Sequence, residues 1–324
     1  MAQLTRRSFG ALTAAALTAN LTHSLWAREV APQTGSSKFY IALIADTHII
    51  DDFYVKGSEN GIEDNESILL TTPRLIAARD LINSLSPAIE QVFLLGDYFH
   101  NYPSQDYDFY FKNKTRLDNA KAITDGFHMP VHIGWGNHDY DVRHVPREMS
   151  HRLFKAKFNV DPYWVFDYKG YKFVHLNNFL GSTQDNKASN FNPNMGSLGE
   201  EHLQWLEAQL AQRKPTFVFV HYPLLAVQDV EFKDFGLHPL LRKHADTIQL
   251  VVSGHVHRWV DFAHTYGPQH YIMAATRYDP NAYMLLEIDP DHGSFRFLNA
   301  DLVQWSTHYS KPYHAGSGIA SASA

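Results

Sequence analysis

Five short clusters of ligand-type residues lie between positions 46 and 257: Asp46-Thr47-His48, Gly96-Asp97, Gly136-Asn137-His138-Asp139, His221 and Gly254-His255-Val256-His257. Their side chains offer aspartate oxygen, asparagine oxygen and imidazole nitrogen. That mixture suits Mn, Fe or Zn. It is a poor match for copper(I), which prefers sulfur, and for a calcium cage made of oxygen alone. A carboxylate shared by two such ions can bridge them at roughly 3.5–4 Å, an arrangement used for in-line displacement at phosphorus. Residues two apart on an extended chain point the same way, so Asp46 with His48, and His255 with His257, are each expected to aim two groups into one pocket. The glycines at 96, 136 and 254 permit tight turns and close backbone approach.

Strands must bring these clusters together. Residues 39–45 form a continuous apolar run, the pattern of a strand buried on both faces. Residues 92–95, 130–135, 216–220 and 248–253 also read as strands, and each cluster follows the carboxyl end of one of these five. In an open α/β sheet that edge is where ligands bind. Thr72-Pro73 opens a helix with Leu75, Ala78, Leu81, Ile82 and Leu85 as its apolar stripe, and a helical stretch covers 109–123. Strand, helix, strand at this rhythm predicts a mostly parallel sheet. Farther on, 164–168 and 171–176 alternate around Lys169-Gly170 as a hairpin, a polar loop covers 177–197, and 199–213 is a helix. Residues 271–275, 283–288 and 294–298 predict a closing antiparallel set. The expected fold is α/β: a four-layer α/β/β/α sandwich of two mixed sheets flanked by helices. No linker of distinct composition divides the chain, so 38–300 reads as one domain.

The totals narrow the chemistry. With 44% hydrophobic and 19% charged residues the chain has the balance of a globular protein. A net charge of -6 argues against a nucleic-acid-binding surface, which is normally basic. Cysteine is absent, which removes disulfides, thiol nucleophiles and thiolate-held zinc. No Walker-type loop, dinucleotide glycine fingerprint or G-x-S-x-G elbow is present.

The order D-x-H, G-D, G-N-H-D, H, G-H-x-H resembles the calcineurin-like metallophosphoesterases across about residues 40–260. Each piece alone has a plain structural reading. Asp46 could cap a helix, Asn137 could turn the chain, and His221 could be a satisfied core histidine. All five in order at strand ends make the functional reading the stronger one. The resemblance implies a dinuclear centre with one ion on Asp46, His48 and His257, the other on Asn137, His221 and His255, and Asp97 bridging them. It implies that His138 faces the leaving group and that Asp139 holds the His138 ring. The implied activity is hydrolysis of a small phosphate ester by metal-activated hydroxide, with a phosphodiester preferred, a broad phosphomonoesterase as alternative, and a non-catalytic metal-binding scaffold behind both. In purple acid phosphatases, relatives of this family, a tyrosine three residues after the bridging aspartate binds iron. Here His100 holds that place, and His48 stands where that group has glycine. Both departures point towards phosphodiesterase-type members. His100 itself reads equally well as a pocket wall or as a solvated loop residue.

Around these motifs, Phe53, Tyr54, Tyr98, Trp135, Tyr140, Tyr222 and Trp259 could stack on a substrate or simply pack the core. The acidic stretch 59–66 reads as a lid or a solvated loop. His132, His175, His264 and His270 stay with structural roles. At the N-terminus, Arg6-Arg7 before Phe9 and a short, mildly apolar run resembles a twin-arginine signal over 1–27. That implies bacterial export in folded form by the twin-arginine machinery, to the periplasm or beyond. The run is too short for a membrane span. Residues 311–324 read as a small, polar, flexible tail.

Overall fold

The computed structural model describes residues 37–306, so the expected signal over 1–27 and the tail over 311–324 lie outside the described residues. In chain order, β1 (Phe39–Ile44) is followed by α1 (Ile62–Ile68), α2 (Thr71–Ser84), β2 (Gln91–Leu94), α3 (Phe109–Lys112), α4 (Arg116–Thr124), β3 (Val131–Ile133), α5 (Asn137–Tyr140) and α6 (Arg147–Phe158). The chain continues through β4 (Trp164–Tyr168), β5 (Tyr171–Leu176), α7 (Glu200–Leu210), β6 (Thr216–Val220), α8 (Leu237–Lys243) and β7 (Ile248–Ser253). It closes with β8 (Val260–Asp261), β9 (His270–Ile272), β10 (Tyr283–Asp289) and β11 (Ser294–Phe297).

These strands form two mixed sheets, a five-stranded one ordered β11-β10-β1-β2-β3 and a six-stranded one ordered β4-β5-β6-β7-β9-β8. In the first, β1, β2 and β3 run parallel, so their carboxyl ends share one edge. In the second, β5, β6, β7 and β9 do the same. The alternation along β1 explains why its sequence is apolar throughout. Phe39, Ile41 and Leu43 join Phe173, Phe217, Phe219, Leu250 and Val252 between the sheets. Tyr40, Ala42 and Ile44 belong to the core that includes Leu75 and Ile82 of α2 and Leu117 and Ala120 of α4. Val174, Val218 and Val220, with Leu203 and Leu206 of α7, extend that core on the second sheet's side. Each of the valine, leucine, isoleucine and phenylalanine side chains among them contributes about 1.5–3 kcal/mol when fully buried, so the stacked layers are what hold the ligand-bearing edges in place. Among the described residues no helix is long and apolar enough to cross a membrane.

Two expectations change. The helical stretch over 109–123 breaks at Asn113, whose backbone is extended. It restarts because Thr115 and Asp118 close a capping box ahead of α4. The predicted antiparallel set loses its first member, since β9 pairs parallel with β7 in the other sheet while β10 and β11 complete the first. Short strands carry no sequence mark of which sheet they join, and β9 follows β8, with which it forms a small ribbon.

Candidate metal centre

Immediately beyond the strand ends the backbone turns sharply. Asp46 (φ 55), His48 (φ 47), Asp97 (φ 49), His255 (φ 70) and His257 (φ 59) all lie in the left-handed region. The extended geometry expected for Asp46-x-His48 and His255-x-His257 is therefore replaced by left-handed turns. Such conformations cost on the order of 1–3 kcal/mol each outside glycine and persist where the surroundings enforce them. Here neighbouring loops enforce them: the Asp46 amide donates to Gly96 O (3.1 Å) and the His48 amide to Asp97 O (2.9 Å). Two glycines leave room for the carboxylates. A methyl at Gly254 would stand 2.5 Å from Asp46 Oδ2, and one at Gly136 would stand 2.2 Å from Asp97 Oδ1.

The turns gather the side chains into two adjoining groups. Asp46, His48, Asp97 and His257 present ligand atoms within 4.8 Å of one another, and so do Asp97, His221 and His255. Asp97 belongs to both. Its Oδ2 lies 3.5 Å from His48 Nε2 and 3.2 Å from His221 Nε2, while its Oδ1 accepts the His138 amide at 2.8 Å. In the first group, His257 Nε2 is 3.3 Å from both Asp46 Oδ1 and His48 Nε2. In the second, Asn137 Oδ1 is 3.2 Å from His221 Nε2, and the other nitrogen of that ring is 3.0 Å from the Leu95 carbonyl. Asp46 is fixed by the His255 amide, which donates to both of its oxygens at 3.0 Å. His255 and His257 thus diverge, one into each group.

The electrostatics call for cations. Burial works against the Asp97 charge, but His221, His138 and His48 hold the carboxyl well below the usual carboxylate range. Burial would likewise lower His221, yet Asp97 and Asp46 raise it to about 9. A proton on His221 is thus the positive charge that the carboxylates demand, and a bound cation would displace it. His48 and His255 are held well below their ordinary range, chiefly by burial, which keeps their lone pairs available. Imidazole nitrogens beside the Asp46 and Asp97 carboxylates and the Asn137 amide oxygen form a donor set that fits two divalent ions of the Mn, Fe or Zn type.

Residues 39–259 match the family model described as calcineurin-like phosphoesterase. The chain belongs to the calcineurin-like phosphoesterases. Of the solved structures, a dimetal phosphatase from Danio rerio superposes with a TM-score of 0.55 at 18% identity, over 78% of this chain and 93% of that one. At that identity the likeness speaks for the fold. GAP50, the anchor in the inner membrane complex of Plasmodium, gives 0.47 at 10% identity over 78% and 81% of the two chains. The calcineurin-like phosphoesterase YfkN from Bacillus subtilis gives 0.43 at 14% over 80% and 88%. No curated protein sequence matches the chain. As a metallophosphoesterase it is a hydrolase of phosphoester bonds.

In this phosphoesterase the expected partner of His138 is replaced. Asp139 does not reach the His138 ring; its carboxylate accepts the amides of Gly136 (2.8 Å), Tyr98 (3.0 Å) and Phe99 (3.2 Å). As the third residue of α5, Asp139 turns back to cap its own helix, and so ties it to the Asp97 loop. The His138 ring is held instead by Asn101, with 2.8 Å between Nδ1 and Oδ1. Asn101 has φ 56, a conformation asparagine tolerates well. Sequence reasoning missed it, because its only mark is a turn-prone type four residues after Asp97.

His100 is buried rather than solvated, and its ring stacks on that of His138 at 4.6 Å between centroids. Tyr98, Trp135, Tyr140 and Tyr222 are core residues, as is Trp259, whereas Phe53 is 42% exposed. Tyr278, which no motif singled out, lies with its ring 5.4 Å from that of His257. The acidic stretch 59–66 is solvated only in part: Glu63 and Glu66 are exposed, while Glu59 binds His100 and Arg277, and Asp64 is buried in α1. His132, His175 and His270 pair with Gln91, the Trp135 amide and Ser253, which are structural contacts.

Proposed function

We propose that the chain hydrolyses a small phosphodiester at a dinuclear centre. One ion is held by Asp46, His48 and His257, the other by Asn137, His221 and His255, with Asp97 shared. The observation carrying this reading is the position of Asp97 Oδ2, between His48 Nε2 and His221 Nε2. Two divalent ions there would supply Lewis acidity to the phosphoryl oxygens and lower the pKa of a water.

The chain's own residues supply the rest. Burial holds His138 at about 3, so its ring is neutral while the centre awaits substrate. A phosphate anion beside the ring favours the protonated form. With Nδ1 engaged by Asn101 Oδ1, Nε2 is the nitrogen left for the substrate. Nε2 would take up a proton from solvent as the anionic ester arrives. It gives that proton to the departing oxygen while a water oxygen bonds to phosphorus, so that the ester oxygen leaves as an alcohol and the water's proton passes to solvent.

The preference for diesters rests on His48 and His100, which stand where purple acid phosphatases have glycine and tyrosine. With metal-reconstituted protein, bis-p-nitrophenyl phosphate is expected to exceed p-nitrophenyl phosphate in kcat/KM by about 10-fold or more, since a pocket discriminates by roughly 1–3 kcal/mol. Equal rates would favour a broad monoesterase, and inertness on every phosphoester tried would favour a metal-binding scaffold.

Export in folded form to the periplasm or beyond is part of the same proposal and rests on Arg6-Arg7. Replacing both with lysine is expected to leave the protein in the cytoplasmic fraction. Unchanged fractionation would sink that part.

A further inference from the structure

We propose that His100 and Glu59 are positioning residues for the metal centre, extending His48 into a hydrogen-bonded chain, His48–His100–Glu59–Arg277, that fixes its ligand nitrogen and strengthens it as a donor. This rests on the dinuclear reading above.

The hydrogens set the direction of every link. His48 turns Nε2 towards Asp97 and His257, which leaves Nδ1 on the far side, 3.2 Å from His100 Nδ1. Two ring nitrogens bond only if one carries a hydrogen and the other does not. An ion at Nε2 needs a lone pair there, so the neutral His48 ring carries its hydrogen on Nδ1 and donates to His100. The His100 hydrogen is then on Nε2, 3.2 Å from Glu59 Oε1. Glu59 Oε2 is closed by Arg277 at 2.6 Å. Each link has one consistent direction, from ligand to carboxylate.

The chain is built rather than incidental. Side-chain exposure is 8% for His100, 14% for Glu59 and 4% for Arg277. Asn65 clamps Glu59 by accepting its amide and donating to its carbonyl. Arg277 also donates to Ser67 Oγ and to the Asp64 carbonyl. The His100 backbone is held by the Ile49 carbonyl and by the Arg116 side chain. A carboxylate behind a ligating imidazole raises its basicity, and such partners are worth ~10–100-fold in metal affinity. Among the described residues the second group has no counterpart: the outer nitrogen of His221 meets the neutral Leu95 carbonyl instead of a relay to a carboxylate. The two ions should therefore be held unequally.

Metal-stripped full-length protein would be titrated calorimetrically with Mn(II) or Zn(II), comparing wild type with His100→Phe and Glu59→Gln. Phenylalanine keeps a ring against His138 and removes both nitrogens. The expected result is a ~10–100-fold loss of affinity for one ion in each variant with the other unchanged, and an altered visible spectrum of the Co(II)-substituted form. The unchanged ion shows that the variant is folded, and if His100→Phe does not fold, Glu59→Gln decides. Wild-type affinity for both ions in a folded variant would overturn the proposal. So would a third ion bound by wild type and lost in His100→Phe, since His48, His100 and His138 also come within ligand distance of one another. A wild-type protein that binds no ion pair would instead refute the dinuclear reading itself.

Discussion

Asp97→Ala is expected to empty both halves of the centre at once. Among the described residues Asp97 is the carboxylate shared by both ligand groups, so its removal takes an anion from each. The loss does not stop at the ions. Asp97 Oδ1 accepts the His138 amide, and burying that amide without a partner costs about 1–3 kcal/mol. His221 also loses the negative charge that most strongly supports its proton. Metal analysis should show less than one ion per chain where the wild type is expected to hold two. Turnover should fall on the order of 10³–10⁵-fold, which is about 4–7 kcal/mol of barrier. Two ions retained in Asp97→Ala would mean that the carboxylate does not bridge.

His138→Ala should separate chemistry from metal binding. The ring contributes no atom to either metal-binding group proposed here, and its backbone amide, which orients Asp97, survives the substitution. Both ions should remain, while kcat falls about 10²–10⁴-fold, the usual range for losing a general acid. The size of the loss should depend on the leaving group. A nitrophenolate departs with little help from a proton, whereas an alkoxide needs one. Steady-state rates on aryl and alkyl diesters measure the difference. Full activity on an alkyl ester would remove His138 from the mechanism.

Much of the frame was legible because it follows from periodicity. The apolar run at 39–45 told of a strand covered on both faces, and the recurrence of Asp, Asn and His just past five strand ends told where they would meet. What stayed hidden depends on partners far away in sequence. Asn101 meets His138 across 37 positions, and His100 meets Glu59 across an intervening helix pair and strand; neither spacing carries a period. Asp139 was different. Gly136 followed three residues later by an acidic residue is the pattern of a capped helix start, and that reading competes directly with a role at the His138 ring. The cap prevailed because three buried amides needed an acceptor. The left-handed turns at the ligands were also missed, since aspartate and histidine are not glycine and nothing else in the sequence demanded a positive φ.

One consequence of the arrangement reaches beyond catalysis. Asp46, His48 and Asp97 stand on loops leaving the first sheet, and Asn137 opens the helix that follows β3 of that sheet, while His221, His255 and His257 leave the second. In the stack between the sheets, the packing of residues such as Leu43, Phe93, Phe219 and Val252 is apolar and therefore non-directional, so it resists separation better than sliding. A coordinated ion tolerates neither. Loaded with metal, the two halves of the sandwich would be riveted at one end, and any shear between them would register first at the reacting phosphorus.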